Sequence, residues 1–369
     1  MFLVREKLLS DLRIFLAIIG CLIIIGLLFI YSSSSVYALE KLGGATFFVQ
    51  KQVLGLIIGI IALIAARLIP LETIKRLSPY LFFGSLFLTA LTLIPPFSLR
   101  VHGSSRWFTL FGFAFQPSEL LKMSLIIYVA YFLTKKEKKI NSFVHGYLPF
   151  LTILGVTCLL LLKQPDFGLA VTLGATVFAL LFIAQFRTKH LLATFSLIIP
   201  AIAGLIYFFP YRLKRILIFL DPWNDPQGAG FQVIQSLIAV GSGGFWGSGI
   251  AQSKQKYFYL PMQHTDFIFS IIAEETGFVG SSLLIVLYIL FLYFGMRLAW
   301  HMKDNFAIFV TLGFVILTNI QALINLCVAL GLVPTKGIGL PFVSYGNSAL
   351  VCNLAMVGLI INCVRESKL

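Results

Sequence analysis

Apolar runs of about 18 residues or more recur along the whole chain, each long enough to cross a hydrocarbon core of roughly 30 Å as a helix. Ten can be read, at about 13–32, 47–67, 78–96, 117–134, 143–162, 168–186, 190–209, 266–296, 305–330 and 347–364. The strands of a membrane barrel would alternate polar and apolar residues, and these runs do not. Composition agrees: 59% of the 369 residues are hydrophobic, 11% are charged, and 36 are Phe, far beyond what one soluble core could bury. The expectation is an all-α integral membrane protein, one polytopic domain over 1–369, with a long extracytoplasmic loop at 210–265 between spans 7 and 8. An even number of spans puts both termini on one side.

The net charge of +14 raises nucleic acid as a partner, but in a membrane chain the excess reads as topogenic charge, and no nucleic acid is expected. Of the 28 Lys and Arg, sixteen fall on the side that holds the termini, among them the short KKEKK segment, which makes that side cytoplasmic. The other face still carries Arg100, Arg106, Lys122, Lys163, Arg212, Lys214, Arg215, Lys254, Lys256 and Lys336. Long loops escape the charge rule, yet Lys122 and Lys163 border or enter spans, where a charge costs a few kcal/mol. The first helix is expected to be uncleaved. The five Cys lie in or beside apolar runs with no CxxC spacing and read as packing residues.

Four outward segments hold nearly all the unusual polar residues. In HGSSRWFTLFGFAFQPSELLK, Pro117 and Ser118 mark a helix start, and Glu119 and Lys122, three apart, share a face. They form either an ion pair pinning two helices or a cation held ready for an anionic ligand. In KQPDFGLA, Asp166 either caps the sixth span or borders a polar cavity with Lys163. The long loop begins with Arg212, Lys214 and Arg215 and contains IQSLIAVGSGGFWG, a short amphipathic helix ending in a Gly-rich turn. Such a turn can cradle phosphate, but the Lys-Ser/Thr ending of a P-loop is missing. Asp221 and Asp225 read as turn residues. The fourth segment, GLVPTKGIGLPFVSYGNSA, is rich in Gly and Pro, is entered from Asn325 and contains Lys336 and Ser344. It is a plausible re-entrant or cavity-lining element.

Taken in order, GSxRW…FQPSELxK, QPDxG, DPW…QSLIAxGSGGxxG, YLPxxHTDFIFSxxxEExG and LPFVSYG resemble the SEDS family of cell-wall polymerases (shape, elongation, division and sporulation) over about 13–364. DPW after the basic cluster is closer to the division and sporulation branch. The resemblance implies a ten-span glycosyltransferase of the bacterial cytoplasmic membrane that polymerises lipid II, a substrate linked to undecaprenyl pyrophosphate, at the outer face. It would work beside a class B penicillin-binding transpeptidase and other divisome proteins. The family's essential acidic residue falls on Asp266, and its Glu and Lys on Glu119 and Lys122. The chain departs from the family pattern at Met262, where Glu is usual, at Asn347 in SYGNS, and at Lys336 and Gly339, which stand where PxTGxPLPF has Thr and Pro.

Chain elongation needs the 4-hydroxyl of an acceptor GlcNAc to attack C1 of a MurNAc whose leaving group is polyprenyl pyrophosphate. That requires a base on one side and positive charge on the other. Asp266 at the membrane boundary is the candidate base, with His264 as a neighbour that tunes it or contacts sugar. Arg106, Lys122, Lys163, Arg212 and Arg215 are candidate cations for the pyrophosphate, and Ser344 a candidate sugar contact. A divalent cation, Mg or Mn, could share the charge, but no clean ligand set is legible. Glu274 and Glu275, about 12 to 13.5 Å further along the same helix, read with Asp166 and Asn325 as structural polar groups. Two other readings use the same residues: a lipid II flippase, which would need cations along both leaflets, and a divisome scaffold with a decayed site.

Overall fold

The computed structural model describes residues 2–94, 99–101, 104–110, 113–136, 142–208, 210–228, 230–257 and 259–367. Its helices are α1 (Phe2–Leu42), α2 (Phe47–Leu68), α3 (Leu71–Leu91), α4 (Pro117–Lys135), α5 (Leu148–Lys163), α6 (Phe167–Ile183), α7 (Thr188–Phe208), α8 (Pro210–Leu220), α9 (Phe231–Ser242), α10 (Ile268–Trp300), α11 (Asn305–Ala329) and α12 (Asn347–Glu366). Among the described residues, six helical segments are long and apolar enough to cross a bilayer: α1, α2, α5 with the π turn before it, α10, α11 and α12. The other four expected spans fall on α3, α4, α6 and α7, all helical.

The chain is mostly helical, as expected, with one local difference: β1 (Leu99–Val101), β2 (Ser104–Leu110) and β3 (Phe113–Phe115) form a small antiparallel sheet in the order β1-β2-β3, where a plain loop was expected. Short runs with β-branched and aromatic residues between turns pair locally, a signal too brief to see beside long apolar helices. Within 210–265, the expected short helix before the Gly-rich turn is α9, which packs against α10, and a second helix, α8, precedes it.

Side-chain contacts fix how the long helices run. Ser32 of α1 reaches Glu275 near the start of α10, whereas Asp11 near the start of α1 pairs with Arg297 near the end of α10 at 3.1 Å, so the two are antiparallel. On α2, Gly55, Gly59 and Leu63 face Asn347, Leu354 and Gly358 of α12 in that order, so these two are parallel. Here helices meet at small residues: a Cβ on Gly358 would stand 2.2 Å from the carbonyl of Leu63. Lys75 pairs with Asp304 at 3.2 Å, and Glu366 accepts from the amide of Leu71. These ties place the start of α1 and the end of α12 at the same end of the bundle.

α10 is broken at Gly277, whose φ of 65° and ψ of −160° leave the helical region. A break inside an apolar span leaves orphan amides and carbonyls that lipid cannot satisfy. The Gly-rich turn after α9 satisfies them. Ser248 and Gly249 donate their amides to the carbonyls of Glu274 and Glu275 at 2.9 and 3.1 Å, and Gly244 and Phe245 accept from the amides of Phe278 and Val279 at 2.9 and 3.3 Å. The approach is close enough to exclude side chains: a Cβ at Gly243 would lie 2.0 Å from the carbonyl of Ala273, and one at Gly247, φ 84°, would lie 2.2 Å from that of Glu275. The Gly-rich turn, which lacks a P-loop ending, is thus a clamp on a broken helix, its amides of Ser248 and Gly249 already committed.

The carboxylates on the same turn of helix complete the clamp. Glu274 accepts from the amides of Lys254 (2.8 Å) and Gln255 and from the hydroxyl of Ser253. Glu275 accepts from Ser32, from the amides of Ala251 and Ser253, and pairs with buried Lys256 at 3.5 Å. Buried charges hold in this way only when hydrogen-bonded and paired. Gly247→Ala is expected to cost about 2–3 kcal/mol through backbone displacement at a left-handed position. Thermal unfolding in detergent should show a lowered midpoint for this variant, and none for Gly84→Ala on α3, where a Cβ meets no atom within 4 Å.

Candidate active site

Two non-helical segments meet inside the bundle: 260–267, which leads into α10, and 331–346, which joins α11 to α12. The second is threaded between helices. Gly26 of α1 lies against the carbonyl of Phe342, Gly168 of α6 against Ile338, and Gln52 of α2 accepts from the amide of Gly346. Tyr288 of α10 donates to the carbonyl of Pro341 at 2.6 Å. Asn325 of α11 joins the two segments, its side-chain amide donating to the carbonyls of Asp266 and Ile338, both at 2.7 Å. Below it on the same face, one helical turn earlier, Gln321 donates to the carbonyl of Gly339 at 3.2 Å.

Asp266 is placed by this junction. Its amide, with those of Thr265 and Phe267, converges on the carbonyl of Met262, which stands at a left-handed φ of 55°. Gly337 faces its side chain so closely that a Cβ there would be 3.3 Å from Oδ2. Among the described residues the Asp266 carboxylate accepts no hydrogen bond. Burial pushes its pKa up to about 7; Arg106 works against the shift, and Asp166 adds to it by like-charge repulsion. An acid in that state is poised to take up a proton near neutral pH.

Arg106, on β2, is held by the turn between α5 and α6. Its Nε and Nη2 donate to the carbonyls of Gln164 (3.0 Å) and Pro165 (2.6 Å), and Nη1 faces Asp166 at 3.4 Å. Asp166 also caps α6 by accepting from the amide of Leu169 at 3.1 Å, and burial raises its pKa ahead of the lowering by Arg106. Of the two readings of Asp166, the cap is the one these contacts show, and the cation facing it is Arg106. Lys163 is exposed on the last turn of α5, and no ion pair or hydrogen bond among the described residues joins it to Asp166.

The fold sets the surroundings of three other candidates. Lys122 is 2% exposed, 2.5 Å from Glu119 and 3.3 Å from Gln321, so of its two readings the structure has the ion pair, with the charge enclosed between α4 and α11. The apolar helices around it leave a bare ammonium no other way to be satisfied. The Ser344 hydroxyl donates to the carbonyl of Thr265 at 2.5 Å and accepts from the amide of Leu340 at 2.7 Å, which makes it a strut between the two segments rather than a free sugar contact. His264 packs on Phe48, ring centroids 4.3 Å apart, near Tyr345, and burial lowers its pKa to about 4, so it is neutral at pH 7. The side chain of Arg212 lies outside the described residues.

Beyond the junction, a cleft of about 330 Å³ opens between α8, α9 and the two segments, lined by Lys214, Arg215, Phe231, Gln232, Pro261 and Thr335. Arg215 donates to the carbonyl of Thr335 at 3.2 Å, which ties the basic helix to the residue before Lys336. Gln321 and Gly337 were not singled out by the sequence. The signal for Gln321 was present: a Gln four residues before Asn325 in an apolar helix shares its face. Among the described residues, no three His, Cys, Asp or Glu side chains gather to hold a metal ion.

A multi-pass helical membrane protein with a half-buried carboxylate beside a cationic cleft is the class that fold and site define. The family model for the FtsW/RodA/SpoVE cell cycle proteins matches residues 12–369, and the chain belongs to that family. It is 42% identical over 337 residues to the probable peptidoglycan glycosyltransferase FtsW of Geobacter sp. (strain M18), covering 91% of this chain and 92% of that one. With the stage V sporulation protein E of Bacillus subtilis (strain 168) it shares 40% identity over 347 residues, 94% and 95% of the two chains. Its fold matches a chain of a peptidoglycan synthase complex that coordinates polymerization and crosslinking (TM-score 0.78, 31% identity, 96% and 97% coverage). It also matches the rod shape determining protein RodA of Thermus thermophilus (TM-score 0.71, 26% identity, 96% and 97% coverage).

Infrared difference spectra of the full chain, against Asp266→Asn as blank, should show a carboxylic-acid band that disappears as pH rises through about 7. In Arg106→Gln the midpoint should move upward, because the cation that favours the ionised form is gone.

Proposed function

We propose that this chain is a peptidoglycan glycosyltransferase that polymerises lipid II into glycan strands at the outer face of the bacterial cytoplasmic membrane, in division or septal wall synthesis. What supports the activity is kinship across nearly the whole chain with proteins named as peptidoglycan glycosyltransferases FtsW, together with the match to a peptidoglycan synthase complex. The observation that carries the chemistry is the junction that sets Asp266, half-buried and without a hydrogen-bond donor among the described residues, opposite the cationic segment 335–337. The ten-span topology, the cytoplasmic placement of both termini, and pairing with a class B penicillin-binding transpeptidase and further divisome proteins belong to the same reading. The loop-side location of Asp266 and the cleft accords with an outer-face site.

In this mechanism Asp266 takes the proton of the acceptor 4-hydroxyl as its oxygen attacks C1 of the donor sugar. The C1–O bond to the polyprenyl pyrophosphate breaks on the opposite face, and the electron pair leaves with the phosphate. One displacement on an α-linked donor inverts C1 and gives the β-linked strand, so one base suffices and no covalent sugar–carboxylate intermediate forms, unlike retaining hydrolases. Arg106, bound to the 164–166 turn, acts on Asp266 through its field rather than by gripping substrate. Glu119, Lys122, Glu274 and Glu275 hold the helices that carry the site. A flippase would need unpaired cations along both leaflets, whereas Lys122, in the bundle interior, is paired and enclosed.

The test is polymerisation of lipid II by the purified chain with its transpeptidase partner in proteoliposomes. Asp266→Ala is expected to reduce polymer formation on the order of 10²–10⁴-fold, the range for loss of a general base, with helix content unchanged by circular dichroism. Normal polymer from that variant would remove Asp266 from the mechanism. Because the base must be ionised, the wild-type rate should rise with pH and reach half its plateau near the Asp266 pKa of about 7. Arg106→Gln should displace the profile to higher pH.

A further inference from the structure

The cleft between α8, α9 and the two segments takes no part in the proton transfer, and its lining states what it can hold. It combines two exposed cations, Lys214 and Arg215, two amide side chains, Gln227 and Gln232, and the half-buried rings of Phe219 and Phe231. Lys214 already faces Asp225 at 3.5 Å, so these two cations and that carboxylate sum to a single positive charge. Arg215 is anchored through the carbonyl of Thr335 at 3.2 Å. The first residues of α9 line the same space. Its cap position, Gly230, makes no side-chain hydrogen bond and its first turn holds no acidic residue, so the positive end of the helix dipole adds to the cations.

A diphosphate is compact, carries two or more negative charges and binds where cations converge on it. This cleft, of about 330 Å³, is instead roomy, weakly positive and partly apolar. Its amide side chains both donate and accept. Those features recognise a short peptide with a free carboxylate: the cations meet the carboxylate, the Gln amides meet peptide groups, and the rings cover small apolar side chains. The substrate of the polymerase reading carries such a peptide, attached through the lactyl group at C3 of MurNAc. C3 is two carbons from the C1 that reacts. On the protein, Pro261 stands five residues before Asp266 and Thr335 two before Gly337, so the cleft opens beside both segments that set the base. We propose that the cleft between α8 and α9 holds the acidic stem peptide of the donor MurNAc, with Arg215 and the first turn of α9 taking a carboxylate and Gln232 a peptide group. This rests on the polymerase reading above. A grip on the peptide decides which stems are bound and leaves the proton transfer to Asp266.

The test compares three forms of lipid II that share sugars, diphosphate and polyprenyl chain and differ only in the stem. One has a pentapeptide with free carboxylates, one the same pentapeptide with every carboxylate converted to a carboxamide, and one no peptide, its lactyl group ending in a carboxamide. Wild type, Arg215→Gln, Arg215→Lys and Gln232→Glu are assayed in proteoliposomes with the transpeptidase partner. Arg215→Gln is expected to raise KM about tenfold for the free-carboxylate stem and less than about threefold for the other two, with kcat little changed. Arg215→Lys should recover most of the loss. Gln232→Glu sets a negative charge where the carboxylate is held, and should raise KM for the free-carboxylate stem alone. An acid in the first turn suits the dipole of α9, so this variant should stay folded. A rise equal across the three stems would overturn the assignment, whether the side chains then meet diphosphate, phospholipid or the partner. So would a wild-type KM in both Arg215→Gln and Gln232→Glu, and either result leaves Asp266 standing. Calorimetric titration of soluble N-acetylmuramyl pentapeptide into the full chain in nanodiscs separates this from the polymerase reading. Arg215-dependent binding by a chain that makes no polymer would keep the cleft and remove the polymerase, and neither binding nor polymer would remove both.

Discussion

The site depends on one side-chain amide. Asn325 gives its two N–H groups to two carbonyls that belong to different non-helical segments, those of Asp266 and Ile338, each at 2.7 Å. Neither carbonyl has a helical partner, and both lie within a bundle where water is scarce, so each unpaired group would cost about 1–3 kcal/mol. Meeting both from one residue of α11 fixes the two segments at hydrogen-bond tolerance and thereby fixes Asp266 against Gly337. The burial that raises the Asp266 pKa follows from that join.

The same constraint recurs wherever the helical pattern is interrupted. Irregular backbone at membrane depth survives only if protein groups replace the missing water. The break at Gly277 is met by backbone from 244–249. The loop 251–255 is met by Glu274 and Glu275, and the turn 340–346 by Ser344, Gln52 and Tyr288. Polar residues that would be costly in lipid thus have partners in the backbone. Among the described residues, the Asp266 carboxylate stands outside this pattern, half-buried on segment 260–267 and accepting no hydrogen bond. A carboxylate kept partly dry in this way suits a proton acceptor.

Much of this was legible in the sequence, and the reasons for the rest are physical. Long apolar runs report helices because lipid imposes length, so α11 and α12 fell within two residues of their read boundaries. The order of motifs reported the family. Long-range partners are another matter. Nothing local in QPD says that Arg106, 60 residues earlier, will take Asp166, and nothing in GSGGFWG says that its amides will close a break in a helix that starts more than 20 residues later. Lys122 could be read as an ion pair or as a cation for a ligand, and only its enclosure with Glu119 and Gln321 decides between them; nothing local to Ser344 says that it will tie Thr265 to Leu340. Glycine carried two meanings that spacing cannot separate, an anion cradle and a close backbone approach, and only the contacts at Gly243 and Gly247 distinguish them.

The central claim is that Asn325 holds Asp266 in its desolvated place. The most direct measurement is the infrared titration of Asp266 in Asn325→Leu, in the full chain with helix content verified by circular dichroism. The join is predicted to open, water to enter, and the Asp266 midpoint to fall from about 7 toward the ordinary carboxylate range. A midpoint unmoved in a folded Asn325→Leu chain would contradict the account.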